Sequence, residues 1–322
     1  MSKSRGVVIL YEDLTEHWVK WAKEAKLTNI GIHKIAPSGQ HGFLQELLNQ
    51  LDALKGRKIL NMLESAGIQI EYELHSLEWL LPRNLIDKDK ELFRENDKGE
   101  RRNDSNFCPS NPNAKEIISE NAYKLAKQLK QSGHNYFLWP DDAANAACHC
   151  EKCRANGYGG AELGMIFSNA VAEGIRAYDS KAMEAYIAYA DAKVMPKIMP
   201  KDNVFLEFAP MDRDHTKPMD DPSEERGAAY IRLLKDLLEI FPAGTTHILE
   251  YWMDNAMFSD CKKPPVKLPF YKDVAESDVA MYTSFGVKHI KTFASYLDDE
   301  YYNLYGNPPM KEYGDILYKY IK

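Results

Sequence analysis

No apolar run in the 322 residues approaches the roughly 18 needed to cross a bilayer, so a transmembrane helix is not expected. A secretory leader is not expected either. Met1-Ser-Lys-Ser-Arg-Gly6 passes directly into Val7-Val-Ile-Leu10, too short for a signal core and without a small-residue cleavage site after it. A cytoplasmic location is therefore expected, although an exported protein trimmed of its leader would begin the same way. Positive charge is not in excess: 41 Lys and Arg against 48 Asp and Glu leave a net charge of -7, which argues against a nucleic-acid partner. Cysteine is scarce. The five present are odd in number, and Cys108, Cys148, Cys150 and Cys153 group in a way that leaves Cys261 alone. In a large chain of this kind, such a set reads as metal-binding or reduced rather than as a disulfide framework. Internal repeats, low-complexity tracts and composition breaks are all lacking, so one domain over 1–322 is the economical expectation.

The chain does have the means to build a core: 44% hydrophobic and 28% charged residues is an ordinary soluble balance. Tyrosine is frequent (19) and aromatics reach 11%. Many fall near expected strand ends, which suits a ring-faced ligand, although ordinary packing explains them as well.

Short β-rich runs alternate with helical patterns. Strands are expected at 6–11, 29–33, 68–75, 136–139, 183–189, 203–208, 247–252 and 289–294. Helices are expected at 16–26, 42–66 (broken near Gly56), 113–131 (capped by Asn113), 162–178, 223–240, 273–286 and 311–321. Residues 82–112 form a long loop, and 190–202 leaves room for only a short helix. Eight strands, nearly all followed by helices, predict a single (β/α)8 TIM barrel with a long loop after strand three and a Cys-rich loop after strand four.

A barrel of this kind carries its chemistry at the carboxyl ends of its strands, and polar or aromatic residues recur there. His33 ends strand two, His75 strand three, Asp141 and Asp142 strand four after Trp139, and Tyr189 strand five. Strand six holds Glu207 and runs into Arg213 and His215. Strand seven ends in Glu250-Tyr251-Trp252-Met253-Asp254. Glycoside hydrolysis needs two carboxyl groups, one to protonate the leaving oxygen and one to act as nucleophile or base. Asp141 or Asp142 with Glu250 is the expected catalytic pair, reaching in from opposite sides of the barrel. For either acid of the doublet, a loop cap is an equal competitor. Arg213 suits a substrate carboxylate and hence a uronic acid, against a surface salt bridge as the plain alternative. His33, His75, His215, Trp139, Tyr189, Glu207, Trp252 and Asp254 complete the expected binding set, with core packing explaining Trp139 equally well.

The run Cys148-His149-Cys150-Glu151-Lys152-Cys153 supplies three thiolates, and Cys108 could supply a fourth. A structural zinc pinning the long loop and a set of reduced thiols are equally supported. Catalysis itself requires no cofactor.

These residues, in this order, resemble bacterial domain-of-unknown-function family 4838, a glycosidase-like barrel often found behind an α-glucuronidase-type N-terminal domain. The similarity spans roughly residues 27 to 297. It is carried by His75-Ser-Leu-Glu-Trp-Leu-Leu-Pro82, Cys108-Pro-Ser-Asn-Pro112, Asp142 with Cys148 to Cys153, Asn169, Ala188-Tyr189, Arg213 to Pro222, and Glu250-Tyr251. The resemblance implies a glycosidase-like barrel and adds Asn169 and Tyr251 to the substrate-binding set. Glu250 departs from the Asp of the family pattern. Three readings stand together: a glycoside hydrolase on a carbohydrate substrate, a metal-dependent sugar isomerase or epimerase using Glu207, Glu250, Asp254 and nearby histidines, and a non-catalytic carbohydrate-binding barrel. A metal-dependent amidohydrolase is disfavoured because strand one ends in Tyr11-Glu12-Asp13 rather than His-x-His. Sugar identity, anomeric outcome and oligomeric state are not encoded in any motif.

Overall fold

The computed structural model describes residues 3–35, 42–129, 131 and 133–322. Eight parallel strands close in sequence order into a barrel: β1 (Ser4–Leu10), β2 (Asn29–His33), β3 (Gln69–His75), β4 (Asn135–Trp139), β5 (Met183–Ala188), β6 (Val204–Phe208), β7 (His247–Glu250) and β8 (His289–Phe293). The expected fold class is the observed one. Two compact units make up the chain, one of residues 1–34, 49–71 and 207–322, the other of 35–48 and 72–206. No helix among the described residues is long and apolar enough to cross a membrane.

In the first unit the barrel interior is polar. Lys291 of β8 reaches Glu207 of β6 at 3.2 Å and Glu71 of β3 at 3.6 Å, and Asn29 of β2 donates to Glu71 at 2.8 Å. Bonds between strands two and three places apart span the lumen, so Lys291 marks its inward face. Successive side chains alternate across a strand. Phe293 therefore shares the inward face with Lys291. On β7, Leu249 pairs with Lys291 and Glu250 with Thr292, which places Leu249 inside and Glu250 on the side of the surrounding helices. Glu207 is thus committed to an ion pair within the barrel.

In the second unit, Pro112–Leu129 and Gly160–Tyr178 pack closely because of Gly174. A Cβ there would lie 2.0 Å from the Ser119 carbonyl oxygen.

Several boundaries differ from expectation. The helix expected at 42–66 breaks at Ala53 into Phe43–Asp52 and Leu54–Ser65, not at Gly56. The cap of Pro112–Leu129 is Asn111, whose side-chain oxygen accepts from the Asn113 and Ala114 N–H groups. The helix expected to run to 131 ends at Leu129, with residue 130 outside the described residues. The helix expected from Ser223 begins at Gly227, because Ser223 and Glu224 are held in turns on Asp221. Between β5 and β6 only Ala190–Ala192 is helical, as the two prolines there suggested.

Candidate functional site

The β4 tip separates the aspartate doublet into two different groups. Asp141 is held by two donors on one carboxylate oxygen: the Arg83 guanidinium donates to Oδ2, and so does the Asn106 backbone N–H at 2.6 Å. Asp142 is exposed and, among the described residues, accepts only from the Tyr189 hydroxyl, at 3.2 Å. The first is the loop-cap acid; the second is an ionisable group open to a ligand. His75 lies beside them, its Nδ1–H donating to the Pro140 carbonyl at 2.6 Å. Its ring meets Trp139 edge-on at 5.2 Å. His75, Asn106, Asp141, Tyr189 and Asp191 line a hollow of about 40 Å³, room for a few waters but far below the 300 Å³ or more of a ligand pocket. Asn169 lies elsewhere in this unit. Its amide donates to the Met199 carbonyl at 3.0 Å and accepts from the Lys201 N–H at 2.8 Å. Both ends of the amide serve the loop before β6, so the role implied by resemblance is replaced by a structural clamp.

The four cysteines converge. Cys108, Cys148, Cys150 and Cys153 are buried, with all four sulfurs within 4.8 Å of one another. Cys108 Sγ lies 3.7 Å from Cys150 Sγ and 3.8 Å from Cys153 Sγ. A tetrahedron with Zn–S bonds of about 2.3 Å has edges of about 3.8 Å, whereas a disulfide requires about 2.05 Å. The spacing fits four thiolates around one zinc-sized ion. Donors already face the sulfurs: the Glu95 N–H at 3.3 Å and Arg101 at 4.0 Å from Cys148, and the Ser110 hydroxyl at 3.1 Å from Cys153. Hydrogen bonds from Cys148 and then Cys153 hold the Cys108 thiol well below the ordinary range. Loss of that same bond's favour pushes Cys148 up to about 11. A metal binds thiols as thiolates, so ligation by the four would release protons. Adjacent His149 is not part of the group.

The β7 tip of the other unit does not present Glu250 to a ligand. Glu250 has no exposed surface. Both its oxygens accept from Arg213 Nη2 at 3.1 Å, and Oε1 also accepts from the Tyr282 hydroxyl at 2.6 Å. Arg213 also donates to Asp278 at 2.5 Å and to the Lys217 carbonyl at 2.9 Å. Asp278 further accepts from Trp252 Nε1 at 3.0 Å and the Met219 N–H at 2.7 Å. Burial opposes the charge on Arg213, but Glu250 and Asp278 outweigh it and hold its pKa above the usual value. Burial lifts the Asp278 carboxyl to about 6, with Arg213 opposing and Glu250 adding. Burial, then Arg213, lowers His215 to about 4. Its Nε2–H donates to the Met211 carbonyl at 2.8 Å, leaving Nδ1 facing Glu250 at 3.7 Å.

Three expectations are corrected here. Glu250 does not reach into the lumen, since strand alternation turns it outward. Arg213 is spent on two buried carboxylates and is closed to a uronate. Trp252 is tied to Asp278 rather than offered to a sugar. The metal-dependent isomerase reading also loses its ligand set. Glu207 is held by Lys291 and Glu250 by Arg213, and the cysteines are the only group of metal-ligating side chains that converges among the described residues.

The same unit groups further tip residues. His33 meets Phe293 edge-on at 5.4 Å, Tyr251 stacks on Phe293 at 5.4 Å, and His215 lies against Tyr251 at 5.6 Å. Asp254 is half-buried, accepts from the Ser295 hydroxyl, and has its pKa raised by burial. Asp13, after β1, accepts from the Tyr296 N–H at 2.6 Å, and burial lifts it to about 7.

Sequence reasoning missed Arg83 and Asn106 on Asp141, Asp278 and Tyr282 around Glu250, and Asp13. A signal existed for one of them. In Lys272–Ser284 the apolar stripe runs Val274, Ala275, Val279, Tyr282, and Asp278 falls within it, an acid placed for burial.

No functionally curated protein matches the chain by sequence. Solved structures similar in fold include a GH5-4 broad-specificity endoglucanase from Bacteroides salanitronis, 13% identical, with 96% of this chain and 86% of that one covered at a TM-score of 0.52. A GH5 family lichenase from Caldicellulosiruptor sp. F32 is 10% identical over 96% and 84%, with a TM-score of 0.55. ZgEngAGH5_4, solved with a cellotriose, is 11% identical over 95% and 88%, with a TM-score of 0.51. At these identities the likeness concerns the barrel alone. The family model of DUF4838, a domain of unknown function, matches residues 41–308, and the chain belongs to that family.

Proposed function

We propose that the protein is a glycoside hydrolase acting on a neutral saccharide, with Asp142 as its ionised carboxylate. The asymmetry of the β4 doublet carries this reading: Asp141 is consumed by Arg83 and the Asn106 N–H, while Asp142 is exposed beside the Tyr189 hydroxyl. Tyr189 orients Asp142 by donating its hydroxyl to Oδ1. Hydrolysis also needs a carboxyl that holds a proton. His75 and Tyr189, which line the same hollow as Asp141, supply a hydroxyl partner and a ring face. A neutral sugar is favoured over a uronate because Arg213 is closed off inside its ion pairs. Fold neighbours solved with cellotriose make β-linked gluco-oligosaccharides the first substrates to try.

The four cysteines are assigned to a structural zinc ion. A closed set of four buried thiolates leaves no position for a reacting water. The ion's contribution is to fix the loops carrying Cys108 and Cys148–Cys153.

A crystal soaked with cellotriose tests the reading. A sugar ring within hydrogen-bond distance of Asp142 supports it. A ligand bound elsewhere, with Asp142 facing only solvent, removes its basis.

A further inference from the structure

We propose that Arg83 and Asn106 are positioning residues for Asp142, and that they close a mechanical circuit between the β4 tip and the four-cysteine centre. The proposal rests on the reading of Asp142 and of the metal given above, but its primary readout does not depend on turnover.

Residues 141–148 carry Asp142 from the end of β4 to the first ligand of the cysteine run. Anchors at its two ends define this segment, and the Ala146 N–H adds another by donating to Asp191 at 3.3 Å. At its start, Asp141 accepts from Arg83 and from the Asn106 N–H. Near its end, the Asn106 side chain donates to the Ala146 carbonyl at 3.2 Å. One residue therefore grips both sides of Asp142, through its backbone and through its side chain. Asn106 can do so because its φ is 54°, a left-handed conformation that asparagine tolerates. Arg83 braces the same residue, donating to the Asn106 carbonyl at 3.4 Å, and is itself held by Asn103, which donates to the Arg83 carbonyl at 3.0 Å.

Two residues after Asn106 comes Cys108, and two after Ala146 comes Cys148. A metal joining these sulfurs closes the ring Asp141, Ala146, Cys148, Cys108, Asn106 and back to Asp141. With the metal bound, Asp142 projects from a segment fixed at both ends. Without it, the segment is held by hydrogen bonds alone, those of Asn106 and Arg83 together with the Ala146 N–H on Asp191 and the His149 N–H on the Glu95 carbonyl, of which each neutral one is worth about 1 kcal/mol. The geometry therefore makes the centre a clamp on the carboxylate rather than a remote brace.

The test uses the full chain with Zn²⁺ as the only added probe. Hydrogen exchange at the amides of 142–147 is measured in zinc-loaded and zinc-stripped protein, with the amides of β3 as the internal reference. Asn106→Gly keeps the left-handed backbone and the N–H to Asp141 but deletes the grip on Ala146. Stripping zinc is expected to speed exchange across 142–147 by about tenfold or more while β3 stays protected. Zinc-loaded Asn106→Gly is expected to show the same loosening with its zinc content unchanged. On p-nitrophenyl β-cellobioside, Asn106→Gly and Arg83→Gln are expected to lose about tenfold or more in kcat with KM little changed, and Arg83→Lys to recover part of the loss. Failure to bind zinc, equal exchange at 142–147 in the loaded and stripped forms, or wild-type protection in Asn106→Gly overturns the proposal. Zinc- and Asn106-dependent protection in a protein that cleaves no glycoside supports the clamp and defeats the hydrolase reading instead.

Discussion

Replacing Arg213 with Met should be far more damaging than replacing Glu250 with Gln, although the two side chains are partners in one ion pair. Arg213 stands between two carboxylates, Glu250 and Asp278, and none of the three has meaningful solvent contact. Removing the guanidinium leaves two buried acids without their cation, a loss of about 3–5 kcal/mol. Removing the Glu250 charge instead leaves Arg213 paired one-to-one with Asp278. A Gln there still accepts from Tyr282, and its NH₂ can donate toward His215 Nδ1, which has no hydrogen-bond partner. That substitution should cost no more than about 2 kcal/mol, the scale of one charged hydrogen bond. Urea unfolding with linear extrapolation resolves the difference. The pH dependence adds a second check. The Asp278 carboxyl is lifted from 3.8 to about 6 by burial and by Glu250, so folding favours its protonated form. This group's contribution is present below 3.8 and is lost as pH rises to about 6, a change of about 3 kcal/mol at 1.36 kcal/mol per pH unit. Glu250→Gln removes one of the two causes, so its stability should fall less steeply than the wild type's over that window. Equal destabilisation by the two substitutions, or an unchanged pH slope in Glu250→Gln, would refute the reasoning.

Three further outcomes follow from the same geometry. Asp141→Asn, which weakens the bond to Arg83, should cost about 2–4 kcal/mol in urea unfolding, whereas Asp142→Asn on the exposed side should stay within about 0.5 kcal/mol. The protein should bind one equivalent of zinc with an affinity that rises with pH, because thiols must lose protons to ligate; metal titration at two pH values measures this, and substoichiometric binding at both would remove the centre. Gly174→Ala should cost about 1–3 kcal/mol in thermal or urea unfolding by forcing apart the helices that meet at the Ser119 carbonyl.

The barrel was legible because its signal is repeated. Eight β-rich runs separated by helical periods admit few other architectures, and no single boundary matters to the conclusion. The cysteine centre was legible for a related reason: three thiols within six residues bring most of a ligand set together locally, so only Cys108 had to arrive through the fold. The site was harder to read. Glu250 and Asp142 look alike in sequence, each an acid at the end of an apolar run. What separates them is strand phase and the partners the fold delivers. Strand seven stops two residues before its apolar pattern does, and its pairing with β8 turns Glu250 toward Asp278 and Tyr282, 28 and 32 residues downstream. Arg213 was misread for the same reason: a guanidinium after a strand looks like a ligand clamp until a buried acid from a later helix claims it. Asp141 and Asp142 could not be told apart because the Arg83 and Asn106 donors come from a loop with no periodic pattern.

Turnover by Asp142→Asn tests the central claim most directly. On any β-linked oligosaccharide or aryl glycoside that the wild type cleaves, Asp142→Asn should lose about a thousandfold or more in kcat, while sugar binding and unfolding midpoint stay near wild type. Retention of wild-type turnover in Asp142→Asn, with the loss falling on Glu250→Gln instead, would contradict it.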